Sequence, residues 1–185
     1  MKKTLENEGN VFVRSLRGMR HLRALVTAAM LLAVQVLLGL VASIPVGPYI
    51  RISFGYLALG TTGALLGPAA SMINGALADV LGSIIHPIGP YFPGFTLTGL
   101  VKGAIYGAML YDRDVSLKRV LVTKLLIDVI CNLLLNTLWL NLLYGEAFFV
   151  ILPERALKNL LQYPVDVILL YPLLKLARRV YAPHR

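Results

Sequence analysis

The sequence predicts an all-α integral membrane protein, a bundle of six transmembrane helices. Composition predicts it first: of 185 residues, 57% are hydrophobic and only 15% charged, against roughly 25% charged in a soluble domain. The mean hydropathy is +0.73. The apolar residues also form runs long enough to enter a bilayer, separated by short stretches of glycine, proline and charge. These runs leave no room for a separate soluble domain. The net charge of +9 could indicate nucleic acid. The basic residues, however, cluster beside apolar segments, where topology and anionic lipid account for them, so no nucleic-acid partner is expected. The single cysteine, Cys131, lies in an apolar run, which excludes an intrachain disulfide. The N-terminus does not read as a cleavable signal peptide, because about twenty mostly polar residues come first.

Residues 1–20 read as a basic cytoplasmic tail, with Lys2, Lys3, Arg14, Arg17 and Arg20 set against Glu6 and Glu8. The transmembrane domain is expected over 21–181, with 182–185 as a second tail. The first span runs from about Leu22 to Ile44. Its alanines form two sets, Ala24/Ala28 and Ala29/Ala33, on different faces. Gln35 shares the Ala24/Ala28 face, so that face should point into the bundle. The Ala29/Ala33 face is then free to meet lipid or, through its small-xxx-small spacing, another helix. Pro45-Val46-Gly47-Pro48-Tyr49 breaks the helix. Arg51 then either snorkels to the interface or meets an anionic ligand.

A second span, about Ile52 to Leu66, and a third, about Pro68 to Ile85, are joined by Gly67-Pro68 in a tight hairpin. The third is rich in small residues and carries Asn74 and Asp79. Asp79, Ser83 and His86 share one face. A carboxylate inside a membrane marks a functional site or an ion pair, for which Lys102 is the candidate partner.

Gly89-Pro90-Tyr91-Phe92-Pro93-Gly94-Phe95-Thr96-Leu97-Thr98 reads as a stiff, aromatic, non-helical loop. It is either an interfacial aromatic belt or the wall of a pocket. A fourth span follows over about Phe95 to Tyr111, and Asp112–Arg119 is a charged connector. The fifth span, about Val120 to Leu143, carries Lys124, Asp128, Asn132, Asn136 and Trp139 as one polar stripe that must face a polar interior. Lys124 and Asp128 are expected to pair. Tyr144-Gly145-Glu146 turns the chain. The sixth span starts near Pro153 with a second stripe, Arg155, Lys158, Asn159, Gln162 and Asp166, and Pro164 and Pro172 are candidate kinks.

Counting lysines and arginines places both termini and the 112–119 connector in the cytoplasm. The loops at 45–51, 86–94 and 144–152 then face outward. The outward half collects the aromatic loop, Trp139 and Tyr144, the amides Asn136 and Asn159, Asp79, and the cations Arg51, Arg155 and Lys158. Aromatic faces hold a flat heterocycle, amides and a carboxylate read its edge, and cations neutralise acid groups. That set describes a pocket for a planar, anionic small molecule.

Gly89-Pro90-Tyr91-Phe92-Pro93-Gly94-Phe95-Thr96, followed by Gly103-Ala104-Ile105-Tyr106-Gly107, resembles the folate-type S components of energy-coupling factor (ECF) transporters. So do Asn136-Thr137-Leu138-Trp139-Leu140 with Tyr144-Gly145, and Leu152-Pro153-Glu154-Arg155 with Lys158-Asn159. The likeness covers residues 20–180. It implies a six-helix subunit of a prokaryotic plasma membrane that captures a vitamin from outside. The subunit then joins a transmembrane coupling protein driven by two ATPase subunits. The family's first helix carries an Ala-xxx-Ala pattern facing the coupling protein, matched by Ala29 and Ala33. The resemblance implies a pocket lined by the third outer loop and the outer ends of helices five and six. Joined to the outward polar set, this gives an expected site of Arg51, Asp79, Tyr91, Phe92, Pro93, Gly94, Phe95, Asn136, Trp139, Arg155, Lys158 and Asn159. On chemical grounds Tyr91, Phe92 and Trp139 would contact the rings, Asn136 and Asp79 the pterin edge, and Arg51, Arg155 or Lys158 the glutamate carboxylates.

Three other readings compete: an S component for another vitamin, a stand-alone carrier, and an intramembrane enzyme. A carrier would be supported by inverted repeats, and none is evident. Asp79, Ser83 and His86 lie on one helix, where a serine-histidine-aspartate relay is hard to aim. The histidines at 21, 86 and 184 are scattered, so no metal or other cofactor is expected. No phosphate-binding Gly-x-x-x-x-Gly-Lys-Ser/Thr loop is present, so an ATPase must be another chain.

Overall fold

The computed structural model describes residues 11–45, 51–87, 90–145 and 148–181, with backbone alone at 43–45, 51–52, 144, 148–151 and 154. The chain forms helix α1 (Val11–Gly18), α2 (Leu22–Leu40), a short antiparallel pair β1 (Ser43–Pro45) and β2 (Arg51–Ser53), α3 (Gly55–Leu66), α4 (Pro68–Ile85) and α5 (Pro93–Leu110). One long helix then comprises α6 (Leu117–Ile127), a π-helical segment (Asp128–Leu135) and α7 (Asn136–Tyr144), and α8 (Phe148–Tyr181) follows. Among the described residues four stretches are long and apolar enough to cross a bilayer: Leu22–Leu40, Pro68–Ile85, Leu117–Leu143 and Arg155–Tyr181. The protein is therefore an all-α, multi-pass membrane protein, in which the short β1–β2 pair is the only sheet among the described residues.

Several boundaries differ from expectation. The first span stops at Leu40, because Ser43–Pro45 pair with Arg51–Ser53 instead. A residue before proline disfavours the α conformation, which suits Ile44 to a strand. The same pairing delays α3 to Gly55. The loop residues 46–50, 88–89 and 146–147 lie outside the described residues. Helix α8 starts before Pro153 and continues through Pro164 and Pro172.

The α3–α4 turn is the tight hairpin expected, with Gly67 at φ 88°, a conformation that favours glycine. The stretch read as a tail contributes α1 to this turn. Ser15 is wholly buried; its hydroxyl donates to the Leu66 carbonyl at 2.7 Å and accepts from the Ala69 amide at 3.1 Å. Both are helix-end groups that lack intrahelical partners. As expected, Ala24 and Ala28 are buried and Ala29 and Ala33 exposed, while Gln35 faces the bundle interior.

Helices α4 and α5 touch backbone to backbone. Gly75 lies against Gly99, Ser71 against Gly103, and Pro68 against Gly107. The Ser71 hydroxyl donates to the Gly103 carbonyl at 2.5 Å. Small residues at four-residue spacing are what allow this approach; association inside a bilayer relies on such packing because lipid tails are as apolar as leucine. Around the pair, Leu59, Tyr106, Leu110, Ile127, Leu170 and Leu174 form a core shared by α3, α5, α6 and α8.

A Cβ added at Gly103 would overlap the Ser71 carbonyl, whereas one at Gly82 meets nothing within 4 Å. Gly103→Ala is expected to destabilise the detergent-solubilised protein by about 1–3 kcal/mol. Gly82→Ala should be neutral or stabilising by up to about 1 kcal/mol. Thermal melting of the two variants tests the contact, and equal melting temperatures would refute it.

Candidate functional site

The helices enclose a cavity of about 1080 Å³. Each wall follows from a periodicity in the chain. From α4 come Gly75, Ala78, Asp79, Gly82 and Ser83, one helical face, with His86 just past its end. From α5 come Phe95, Gly99, Lys102 and Tyr106. From α8 come Arg155, Lys158, Asn159 and Gln162. Gln35 of α2 and Tyr56 of α3 close the remaining side.

The long helix needs a further device. In an α-helix a step of four residues overshoots a full turn by about 40°. Three such steps would carry Asn136 well away from Lys124. The π segment over Asp128–Leu135 has a wider turn, so a four-residue step there no longer overshoots and the drift is cancelled. Lys124, Asn132, Asn136 and Leu140 consequently all line the cavity. The stripe was legible in the sequence; the π geometry that keeps it aligned was not.

The two predicted stripes meet at Lys124. Its ammonium lies 2.7 Å from Asp128 Oδ1 and 2.7 Å from Asp166 Oδ2, with all three side chains buried. Asn132 donates to Asp128 at 2.7 Å and Gln162 to Asp166 at 3.1 Å. The ammonium also stands 5.2 Å from the centre of the Tyr56 ring. Arg155 donates from Nη1 to the Asn132 carbonyl at 3.4 Å.

The aromatic stretch is a wall, with Pro90, Tyr91, Phe92 and Phe95 on the cavity. Helix α5 begins at Pro93, just before the expected start at about Phe95, because proline at the first helical position is compatible with the turn. Trp139 does not line the cavity. It packs behind Phe92, ring centres 5.7 Å apart, and its indole N–H donates to Thr98 Oγ1 at 2.9 Å. Gly94 sits between them: a Cβ there would run into both rings. Asp79 is not ion-paired with Lys102. It accepts from Thr96 Oγ1 at 2.7 Å. Ser83 donates to the Val80 carbonyl at 2.7 Å, as an ordinary intrahelical contact. The side chains of Arg51 and Tyr144 lie outside the described residues.

The expected residues Asp79, Tyr91, Phe92, Phe95, Asn136, Arg155, Lys158 and Asn159 are thus brought to one space. The expected site omitted Lys102, Gln162, Gln35, Tyr56 and Tyr106. The tyrosines sit in apolar runs, where nothing local marks them as lining; the signal available was that a buried phenol seeks a hydrogen-bond partner. Gln35 Oε1, the Tyr106 hydroxyl, Asn159 Nδ2 and Gln162 Oε1 are buried without a partner among the described residues. All four belong to cavity-lining residues, so a ligand with a polar edge could satisfy them. Among the described residues no cluster of histidine, cysteine, aspartate or glutamate is placed to hold a metal.

Residues 19–179 match the family described as "ECF-type riboflavin transporter, S component". The chain is 37% identical over 162 residues to the folate transporter FolT of Clostridium novyi (strain NT), covering 88% of this chain and 94% of that protein. It is 33% identical over 159 residues to the folate transporter FolT of Leuconostoc mesenteroides, covering 82% and 84%. A solved structure, described as "Crystal structure of FolT bound with folic acid", superposes with a TM-score of 0.77 at 32% identity, covering 85% of this chain and 95% of the other.

Removing one member of a buried charge cluster leaves the others uncompensated. Lys124→Met is therefore expected to cost about 3–5 kcal/mol. The triple variant Lys124→Met, Asp128→Leu, Asp166→Leu should recover most of that loss. Chemical denaturation of both proteins measures the difference; a triple variant as unstable as the single would show that the cluster is not an electrostatic unit.

Proposed function

We propose that this chain, which belongs to the folate-transporter family of ECF-type S components, captures folate in its cavity for an ATP-driven importer. It is a transport subunit, not an enzyme. The observation that carries the ligand reading is the pairing of two walls in one space. Tyr91, Phe92 and Phe95 offer aromatic faces, and Lys102, Arg155 and Lys158 offer positive charge. Folate joins flat aromatic rings to a glutamate with two carboxylates, so each wall has a counterpart. In this reading Tyr91 and Phe92 hold the rings, Asp79 and Asn136 read the pterin edge, and Arg155 and Lys158 meet the carboxylates. Trp139 acts through Phe92. Arg51, two residues before cavity-lining Ser53, is a further cation for the carboxylates.

The second reading is riboflavin, which the matching family's description names. A flavin is flat and polar-edged but has no carboxylate, so Arg155 and Lys158 would meet no opposite charge. The charged wall and the folate-transporter relatives favour folate.

Folic acid should bind the purified chain without ATP, and riboflavin should bind far more weakly. Trp139 is the only tryptophan, so its fluorescence should change as Phe92 meets the ligand. Lys158→Ala should weaken folic acid about tenfold, and a pteridine lacking the glutamate tail much less. Equal losses would reassign Lys158 to a structural role. Tight binding of riboflavin with none of folic acid would retain the family and overturn the ligand.

The same reading has six spans: α2, α3, α4, α5, the α6–α7 helix and α8. Both termini lie in the cytoplasm. Supporting this, basic residues gather at one end, where Arg14 pairs with Asp112, Arg23 lies over Tyr181, and Arg178 donates to the Leu110 and Arg113 carbonyls. The exposed Ala29/Ala33 face of α2 is where the coupling protein docks, with two ATPase subunits driving it. Ala33→Trp should abolish uptake by the assembled transporter while folate binding to the isolated chain survives. An impermeant thiol reagent should label Gly145→Cys but not Ser116→Cys from outside. Full uptake by Ala33→Trp would remove the coupling face, and the reverse labelling would invert the topology.

A further inference from the structure

Thr96 does not line the cavity, yet it joins two residues that do. Its hydroxyl lies 2.7 Å from Asp79 Oδ2 and 2.8 Å from the Tyr91 hydroxyl. The three groups come from three places: Asp79 from the middle of α4, Tyr91 from the loop, and Thr96 from the start of α5. Thr96 donates its single hydroxyl proton to Asp79. Thr96 can then only accept from Tyr91, which must donate. The chain therefore runs from Tyr91 through Thr96 and ends on the Asp79 carboxylate.

The two aromatic residues of this loop are held differently. Phe92 is wedged against Trp139 and Gly94, an apolar contact inside the protein. Tyr91 is 52% exposed, and among the described residues its hydroxyl has Thr96 as its one hydrogen-bond partner. Water can compete for that bond, whereas it gains nothing by separating Phe92 from Trp139. The loop is thus fixed at Phe92 and releasable at Tyr91, and both residues line the cavity.

We propose that Thr96 is a positioning residue for the cavity mouth: by relaying the Tyr91 hydroxyl onto Asp79 it latches the Tyr91 ring in place and sets how fast the ligand escapes. The choice of folic acid as probe rests on the function proposed above; the latch itself does not. Dissociation of folic acid from the purified full chain is measured by chase, alongside amide hydrogen exchange at Tyr91 and Phe92 in the protein without ligand. Thr96→Val keeps the shape and removes the hydroxyl. It should speed dissociation about tenfold while association changes less than about threefold. Thr96→Ser should restore wild-type rates. Tyr91→Phe should match Thr96→Val, and the double variant should be no faster than either single. Unchanged dissociation in Thr96→Val, or a double variant at the product of the two singles, overturns the latch. If the wild-type chain binds no folic acid, the ligand reading fails alone and hydrogen exchange decides. Faster exchange in Thr96→Val than in Thr96→Ser then supports the latch, and equal exchange overturns it.

Discussion

The contact on which the rest of the structure depends is the one between α4 and α5. At Gly75/Gly99, Ser71/Gly103 and Pro68/Gly107 the two backbones meet with a glycine on at least one side of every contact. Inside a bilayer apolar side chains gain little by leaving lipid for each other, so close packing of small residues carries the association. The consequence for the site is geometric. With the two axes drawn together, Asp79 on one flank and Phe95, Lys102 and Tyr106 on the other become adjacent walls of one cavity. Gly75 and Gly99 belong to both the contact and the lining, so part of the wall is backbone.

Opposite this pair, α6 and α8 are joined by charge. Burying one lysine and two aspartates is costly in itself, and the cluster is sustained because nearly every group has a partner. Lys124 bridges Asp128 and Asp166, and Asn132 and Gln162 each donate to one carboxylate. Three of these five residues also line the cavity. The interaction that fastens the two helices therefore builds the site as well. The π segment serves the same end by holding Asn132 and Asn136 in line with Lys124.

The two ends of the bundle are finished differently. At the basic end, side chains satisfy helix-terminal backbone groups: Ser15 caps the α3–α4 turn, and Arg178 reaches the last carbonyl of α5. At the other end the aromatic loop is held by a ring contact and a short chain of hydroxyls onto Asp79. Cross-links of the first kind close a structure. Those of the second kind leave a boundary that can open.

By itself the sequence determined the class, the Gly67 turn, the inward Ala24/Ala28 face and the two polar stripes, because each rests on local composition or helical period. It also marked the aromatic stretch as a wall or a belt. Its boundaries erred where distant residues intervened. Strand pairing of 43–45 with 51–53 ended one helix early and delayed the next. Other features arose only from tertiary structure. Asp79 chose Thr96 over Lys102, Trp139 went behind Phe92 instead of onto the cavity, and Tyr56, Tyr106 and Lys102 joined the lining. Helical periodicity tells which residues share a face. It cannot tell which face of another helix lies opposite, and that is settled by how closely two backbones approach.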